Sequence, residues 1–179
     1  VVIPGRGFVM NNTMADFSPK VGVRTTQGLA YGMANAVRPG KTPLSSMSPT
    51  IIMRDGKPLM SVGAAGGPRI ITSTLQVILT ILDYDMMMDS AVKCPHMCCL
   101  TLDQGLELEG GFSPDTIRLL RQRGHKIVET SDFGELLVMP NGILKLDGTF
   151  FPGGTSRVDG GGGALSDHGA VAIDGLCFL

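Results

Sequence analysis

The stretch KTPLSSMSPTIIMRDGKPLMSVGAAGGPR, residues 41–69, decides the fold predicted for this chain. Two short apolar strands, residues 50–53 and 58–62, flank Asp55-Gly56, and an Asp-Gly pair suits the left-handed backbone of two-residue hairpin turns. The returning strand ends at Gly66-Gly67. The sequence therefore predicts a β-hairpin that leads directly into a glycine turn.

An apolar helix is predicted to follow the glycines. After Pro68, which is tolerated in a first helical turn, apolar residues recur at helical spacing at Ile70, Ile71, Leu75, Ile78, Leu79 and Leu82. The run 75–82 is far shorter than the ~20 residues of a membrane helix and predicts a buried helix. The first amides of a helix have no internal partner, so the turn can hold an oxyanion or a carboxylate. The alternative is that the glycines only permit a tight turn.

Four motifs resemble the small subunit of γ-glutamyltransferases, also called glutathione hydrolases. They are NNTMADFS (11–18), PLSSMSPT (43–50), GAAGG followed by IIT (63–72) and GFSPDT (111–116). The resemblance extends from about Gly7 to Arg157 and includes the order and spacing of the motifs. It implies an α+β fold, the layered αββα sandwich of N-terminal-nucleophile hydrolases, incomplete in this chain. Residues 1–159 would be a partial small-subunit domain, and 160–179 a Gly-rich linker and an unassigned tail.

The resemblance also implies a mechanism and a set of site residues. A proenzyme would cleave itself, and the newly exposed threonine would attack a γ-glutamyl amide such as glutathione; the acyl group would then pass to water or to an amine. Carboxylates, hydroxyls and preorganised amides suit an ammonium group, a carboxylate and an oxyanion, respectively. No metal and no cofactor is implied. Carried over by position, the substrate α-ammonium would meet Asp16, with Asn12 and Thr13 nearby, the α-carboxylate would meet Ser45 and Ser46, and the oxyanion would meet the amides of Gly66 and Gly67.

The expected nucleophile is not among these 179 residues. Val1 has no nucleophilic atom, whereas the mechanism needs a threonine activated by its own amine. The resemblance places that threonine a few tens of residues before Asn11, and it implies that the large subunit of the same precursor supplies an arginine for the substrate carboxylate. We expect the 179-residue chain to be inactive by itself.

Several positions depart from the family pattern. Thr13 stands where a glutamate or glutamine is usual and Ala15 where an aspartate is usual. Residues 94–99 replace an Ala-Pro-Arg-Phe-His-like segment, and 155–157 an Asp-Pro-Arg or Asp-Ser-Arg. These changes leave open a nonstandard γ-glutamyl-type amidase, or a truncated or degenerate homologue that acts as a non-catalytic binding or structural remnant. A Thr-Thr or Thr-Ser strand start upstream would favour the enzyme.

The cysteines and the histidine in residues 94–99 could each ligate a soft metal ion, but their spacing does not predict a metal site. Zinc sites usually draw on two separated ligand pairs, and no second pair occurs in the sequence. The expectation is that the cysteines act as small buried hydrophobes. The potential ligands are Cys94, His96, Cys98 and Cys99.

Composition limits the classes of partner. A net charge of −1, with seven Phe, two Tyr and no Trp, gives no basic stripe and no stacking platform, which argues against nucleic acid. The chain has no apolar segment long enough for a membrane helix. With 43% hydrophobic residues it can bury the core of one domain. Nothing in the sequence indicates its localisation.

Local signals predict the remaining elements. Ser113 and Pro114 begin a helix that Gly124 ends, and Asp85 caps a short helix to Lys93. Residues 18–43 are predicted as a long loop or lid. Strands are predicted at 7–10, 126–129, 135–139 and 143–146, the last two joined by a turn at Asn141-Gly142.

The tail is predicted from weaker patterns. The glycine run 160–163 is expected to be a flexible linker or a turn, because no Lys-Ser or Lys-Thr follows it. Alternation at Val171, Ile173 and Leu176 suggests an added strand. Asp167-His168 is expected to be an exposed polar turn.

Overall fold

The computed structural model describes residues 4–7, 10–18, 20–25, 29–129, 138–157, 163–166 and 169–172. The chain divides into two compact units, Val1–Ser45 and Ser46–Leu179. Across the described residues, no helix has both the length and the apolar content needed to cross a bilayer.

The first unit is mostly irregular backbone organised around a buried asparagine. Its described part contains two 3-10 turns, Thr13–Asp16 and Met33–Asn35. The Asn35 side chain donates to the carbonyl of Asp16 (2.7 Å) and accepts from the amide of Leu44 (3.0 Å), so it ties the Thr13–Asp16 turn to the C-terminal end of the unit. In agreement with the loop predicted at 18–43, the described residues of that range form neither an α-helix nor an extended strand beyond isolated bridges. The strand predicted at 7–10 includes Phe8 and Val9, which lie outside the described residues.

The second unit is built on an antiparallel sheet of four strands. These are β1 (Thr50–Arg54), β2 (Lys57–Ala65), β6 (Met139–Leu146) and β7 (Thr149–Gly154), in the spatial order β1-β2-β6-β7. The predicted hairpin is confirmed: Asp55 and Gly56, with φ 50° and 73°, join β1 to β2. A three-stranded sheet contains β3 (Met97–Cys98), β4 (Leu106–Leu108) and β5 (Ile127–Glu129).

Two helices cover one face of the four-stranded sheet. They are α1 (Ile70–Tyr84) and α2 (Met88–Lys93), and the core between helices and sheet contains Leu59, Met60, Val62, Val77, Ile81, Met88, Ala91, Val92 and Leu144. Helix α3 (Pro114–Gln122) begins, as predicted, at Ser113, whose hydroxyl accepts from the Thr116 amide (3.1 Å). The prediction that Asp85 caps α2 is wrong, because Asp85 ends α1 in a left-handed conformation (φ 53°).

The turn predicted at Asn141-Gly142 is wrong. Both residues lie inside the continuous strand β6, and the hairpin that ends this strand turns at Asp147 and Gly148, with φ 49° and 82°. Gly142 is needed for packing instead: a Cβ there would lie 2.7 Å from the Met88 sulfur of α2. Most of the strand predicted at 135–139 lies outside the described residues.

The prediction that α1 is a buried helix is only half right. One face is buried through Ile70, Val77 and Ile81, but a row of apolar side chains on another face is 37–54% exposed. The row consists of Ile71, Leu75, Leu79 and Leu82.

The tail contributes a small hairpin of β8 (Gly163–Ser166) and β9 (Gly169–Ala172). Val171 therefore lies in a strand, whereas Ile173, Leu176, Asp167-His168 and most of the glycine run fall outside the described residues. The boundary predicted at 159/160 also falls there and stays a prediction.

Candidate functional site

The turn after β2 uses backbone conformations that favour glycine. Gly66 has φ 141° and Gly67 has φ 60°, both in the region that residues with a Cβ rarely adopt. Gly67 begins a 3-10 turn, Gly67–Arg69, that continues into α1. Neither glycine amide donates a hydrogen bond to another residue that the structure describes. The two half-buried glycines therefore place their N–H groups in the turn that leads into a 15-residue helix.

The segment that follows Ser46 lies beside the strand that leads into this turn. Thr50 pairs with Val62, and a Cβ on Gly63 would lie 3.9 Å from the Cα of Pro49. A cavity of about 260 Å³ opens between these two segments. Its lining residues are Met47, Ser48, Pro49, Gly63, Ala64 and Asn141.

Asn141 is a lining residue that the sequence reasoning missed. Its side-chain amide donates to the Met139 carbonyl (3.1 Å), and its oxygen accepts from the Thr155 amide (3.4 Å). These bonds link it to the end of β7. The sequence predicts a hairpin turn at Asn141-Gly142. No local signal distinguishes an Asn-Gly pair in a turn from one inside a strand that lines a cavity.

The predicted site residues are divided between the two units. The 3-10 turn Thr13–Asp16 contains Thr13 and Asp16, both half-buried, while Asn12 and Ser45 are exposed. These four residues belong to the first unit, and Ser46, Gly66 and Gly67 belong to the second. That all seven meet at one substrate stays a prediction.

A buried ion pair, which the sequence reasoning did not find, holds the end of β7. The side chains of Arg157 and Glu109 are 1% and 0% exposed. The guanidinium donates twice to the carboxylate, Nε to Oε1 (2.7 Å) and Nη2 to Oε2 (2.6 Å). It also donates to the carbonyls of Val92 (2.7 Å) and Cys94 (2.6 Å), which end α2. Arg157 thus ties three segments far apart in sequence.

His96 completes this cluster. Its amide donates to Glu109 Oε2 (2.7 Å), and its Nδ1 lies 2.6 Å from Arg157 Nη2. Because a guanidinium can only donate, Nδ1 is the acceptor and the ring proton is on Nε2. Burial by itself raises the pKa of Glu109, but hydrogen bonds from Arg157 and His96 outweigh it and bring that pKa from 4.5 down to about 2. The carboxylate is therefore charged at neutral pH.

The cysteines next to His96 have separate environments. Cys98 is buried, and this burial raises the pKa of its thiol. A hydrogen bond with Thr72 lowers the pKa, but by less. The expectation of buried cysteines holds for Cys98 and is wrong for Cys99, which is exposed. No three His, Cys, Asp or Glu side chains in the described ranges are placed to hold a metal ion.

Comparison with known structures places this fold among the N-terminal-nucleophile hydrolases. The chain is similar to a variant of Helicobacter pylori γ-glutamyltranspeptidase, with a TM-score of 0.76 and 38% identity over 88% of this chain and 86% of that chain. It is also similar to γ-glutamyltranspeptidase from Pseudomonas nitroreducens, with a TM-score of 0.77 and 29% identity over 93% of this chain and 86% of that chain. The α+β class predicted from the sequence is confirmed.

Sequence comparison gives the family. The model of the family "Gamma-glutamyltranspeptidase" matches residues 1–149. The glutathione hydrolase proenzyme of Escherichia coli K12 is 43% identical over 147 residues, which are 80% of this chain and 25% of that protein. The chain belongs to the γ-glutamyltranspeptidase family, as its motifs predicted. It spans about a quarter of the length of the curated relatives it matches.

Proposed function

We propose that this chain forms the substrate-binding and oxyanion-hole part of a γ-glutamyltransferase, or glutathione hydrolase, that cleaves γ-glutamyl amides. A threonine hydroxyl from outside the 179 residues adds to the γ-carbonyl carbon, and its proton passes to the departing amine. The γ-glutamyl ester that forms is then attacked by water or by an acceptor amine, which releases the threonine. The chain by itself is inactive.

The observation that carries this proposal is the pair of amides at Gly66 and Gly67, neither of which donates to another residue in the described part of the chain. As the carbonyl becomes tetrahedral, its oxygen becomes negative, and two preorganised N–H groups at a helix N-terminus stabilise that charge more than they stabilise the neutral substrate. The β1–β2 register supports a nearby carboxylate site. Continued by four residues beyond the Thr50–Val62 pair, it would set Ser46 opposite Gly66.

The other substrate contacts are proposed from the motifs of the first unit. Asp16 accepts the α-ammonium group through a charge-assisted hydrogen bond, with Asn12 and Thr13 beside it. Ser45 joins Ser46 in donating to the α-carboxylate. Replacing Asp16 with alanine should therefore remove the preference for a free α-amino group.

The large subunit of the same precursor is proposed as the partner. It would cover the exposed apolar row of α1. Four apolar side chains in line on a helix favour burial against another segment, at about 25 cal/mol per Å² of apolar surface covered. The 147 matched residues are only 25% of the similar E. coli protein, which therefore has other segments of the kind that could cover the row. Leu75→Gln with Leu79→Gln should weaken co-purification of the two parts at least tenfold. Equal co-purification would remove the row from the proposed interface.

A matched pair of glycine substitutions tests the oxyanion role. We would produce the chain with the upstream part of its precursor and measure turnover of a γ-glutamyl anilide. Gly67→Val should lower kcat by a factor on the order of 100, with a much smaller change in KM, because the displaced amide matters most in the transition state.

Gly148→Val is the control, since Gly148 also has a positive φ (82°) but lies at an open hairpin turn. It should leave kcat within about twofold of the parent. Equal losses in both variants would contradict the oxyanion assignment. A parent with no turnover would favour the non-catalytic remnant.

A further inference from the structure

The residue that ends the glycine turn is fixed to a different sheet. Arg69 is the last residue of the 3-10 turn, and its guanidinium makes a two-pronged ion pair with Glu107 of β4. Nε lies 2.9 Å from Oε2 and Nη2 lies 2.8 Å from Oε1, with the side chains only 18% and 20% exposed. The glycines follow a strand of the four-stranded sheet, whereas Glu107 belongs to the three-stranded sheet. The pair therefore fixes the turn from outside.

A second contact supports the first turns of α1 from the same side. The Gln76 side chain donates to the Met97 carbonyl (2.8 Å) and accepts from the Met97 amide (3.0 Å). It therefore pairs with both backbone groups of Met97, as a residue of an adjacent β-strand does. The Thr72 hydroxyl donates to the Arg69 carbonyl (3.1 Å). The start of the helix is thus held to β3 and β4 at two points, about two turns apart.

The electrostatics of this position explain why Glu107 is needed. A cation at the N-terminus of a helix faces the positive end of the helix dipole, which is unfavourable by itself. No side-chain cap satisfies the first amides of α1. The Glu107 carboxylate neutralises Arg69 and so removes this unfavourable interaction, without occupying the glycine amides.

We propose that Arg69 and Glu107 are positioning residues that hold the amides of Gly66 and Gly67 in the orientation needed to receive an anionic oxygen. The inference rests on the proposed role of these glycines as the oxyanion hole. The pair acts through the turn, because the Arg69 guanidinium and the Glu107 carboxylate bond each other rather than a substrate.

The first test measures order in the turn of the 179-residue chain itself. In ¹⁵N-glycine-labelled protein, amide order parameters of Gly66 and Gly67 should be about 0.85 in the parent and fall below about 0.6 in Glu107→Gln. The matched control is Glu129→Gln on β5, which removes the acceptor of the exposed ion pair with Arg121. Unchanged order parameters in Glu107→Gln, or an equal fall in the control, would overturn the proposal.

If Glu107→Gln does not fold, a charge-swapped variant tests whether the ion pair fixes the glycine turn. Arg69→Glu with Glu107→Arg keeps a salt bridge and should keep the order parameters of both glycines near the parent values. A swapped protein whose turn is mobile would show that the ion pair does not fix it.

The second test separates this inference from the proposed function. In the complete protein, Glu107→Gln should lower kcat about tenfold or more with KM within twofold, because a small misplacement of donors mainly affects the transition state. The charge swap should restore most of the loss. A parental kcat in Glu107→Gln would overturn the positioning role. A parent without γ-glutamyl turnover would contradict only the proposed function, and the order parameters would still decide whether the pair fixes the turn.

Discussion

Removing Arg157 should be among the most destabilising single changes in this chain. In Arg157→Leu the Glu109 carboxylate stays fully buried without its cation, and the carbonyls of Val92 and Cys94 each lose a donor. Breaking a buried ion pair from one side typically costs 3–5 kcal/mol. Since domains of this size unfold with about 5–15 kcal/mol, the variant should lose a large part of its stability at pH 7.

Urea unfolding of the parent and of Arg157→Leu measures this loss directly. The control is Arg118→Leu, because the Arg118–Asp115 pair lies on the exposed surface of α3 and should contribute less than about 1 kcal/mol. The double variant Arg157→Leu with Glu109→Leu should recover part of the stability, since no unpaired charge then remains. A loss of under about 1 kcal/mol in the single variant would refute the reasoning.

The same pair predicts a particular acid sensitivity. Because the pKa of Glu109 is lowered from 4.5 to about 2 on folding, its contribution is fully present above pH 4.5 and is lost as the pH falls toward 2. A shift of this size corresponds to about 3 kcal/mol, of which about 2 kcal/mol should be gone by pH 3. The parent should therefore lose more stability than Glu109→Gln between pH 7 and pH 3, measured by urea unfolding at each pH. Parallel losses in the two proteins would contradict the lowered pKa.

Three further substitutions test the packing and the turns. Gly153→Ala should cost about 1–3 kcal/mol, measured by urea unfolding, because its Cβ would lie 2.7 Å from the backbone carbonyl of Met88; a neutral effect would contradict this close approach. Ser113→Ala should lower stability by about 1 kcal/mol through loss of the α3 cap, seen as a lower midpoint with an unchanged m-value. Gly148→Ala should cost about 1 kcal/mol for its positive φ alone, since nothing lies within 4 Å of the new methyl group; a loss as large as that of Gly153→Ala would reveal a hidden contact.

The elements that the sequence predicted well are those set by local chemistry. The Asp55-Gly56 turn, the glycines before α1 and the Ser113 cap each act within a few residues of their own position. The conformation of such a segment follows from its own backbone preferences, so a single sequence carries the signal. The family motifs added a proposed role for the glycine turn, which local chemistry alone left open between an anion site and a simple tight turn.

The elements that were mispredicted depend on contacts far along the chain. Asn141-Gly142 has the composition of a turn, yet Gly142 is there because Met88 of α2 packs directly on the strand. The Arg157–Glu109 pair joins residues 48 positions apart, and the unusual segments at 94–99 and 155–157 gave no sign that Arg157 would contact Cys94 and His96. Periodicity likewise marked six apolar residues of α1, four of which form the exposed row, and it left out Val77 and Ile81, which pack in the core.

The two longest helices described in the second unit, α1 and α3, begin in opposite ways, and the difference bears on the proposed function. The exposed helix α3 starts with the Ser113 cap, in which a hydroxyl occupies the amide of Thr116. Helix α1, which follows the glycines, has no side-chain cap, although a cap typically contributes about 1 kcal/mol. A capping oxygen at α1 would compete with a substrate oxygen for the same end of the helix. Anchoring α1 laterally, through Arg69 to Glu107, holds its start without using the glycine amides, which donate to no other described residue, and this is the arrangement that the proposed oxyanion hole would require.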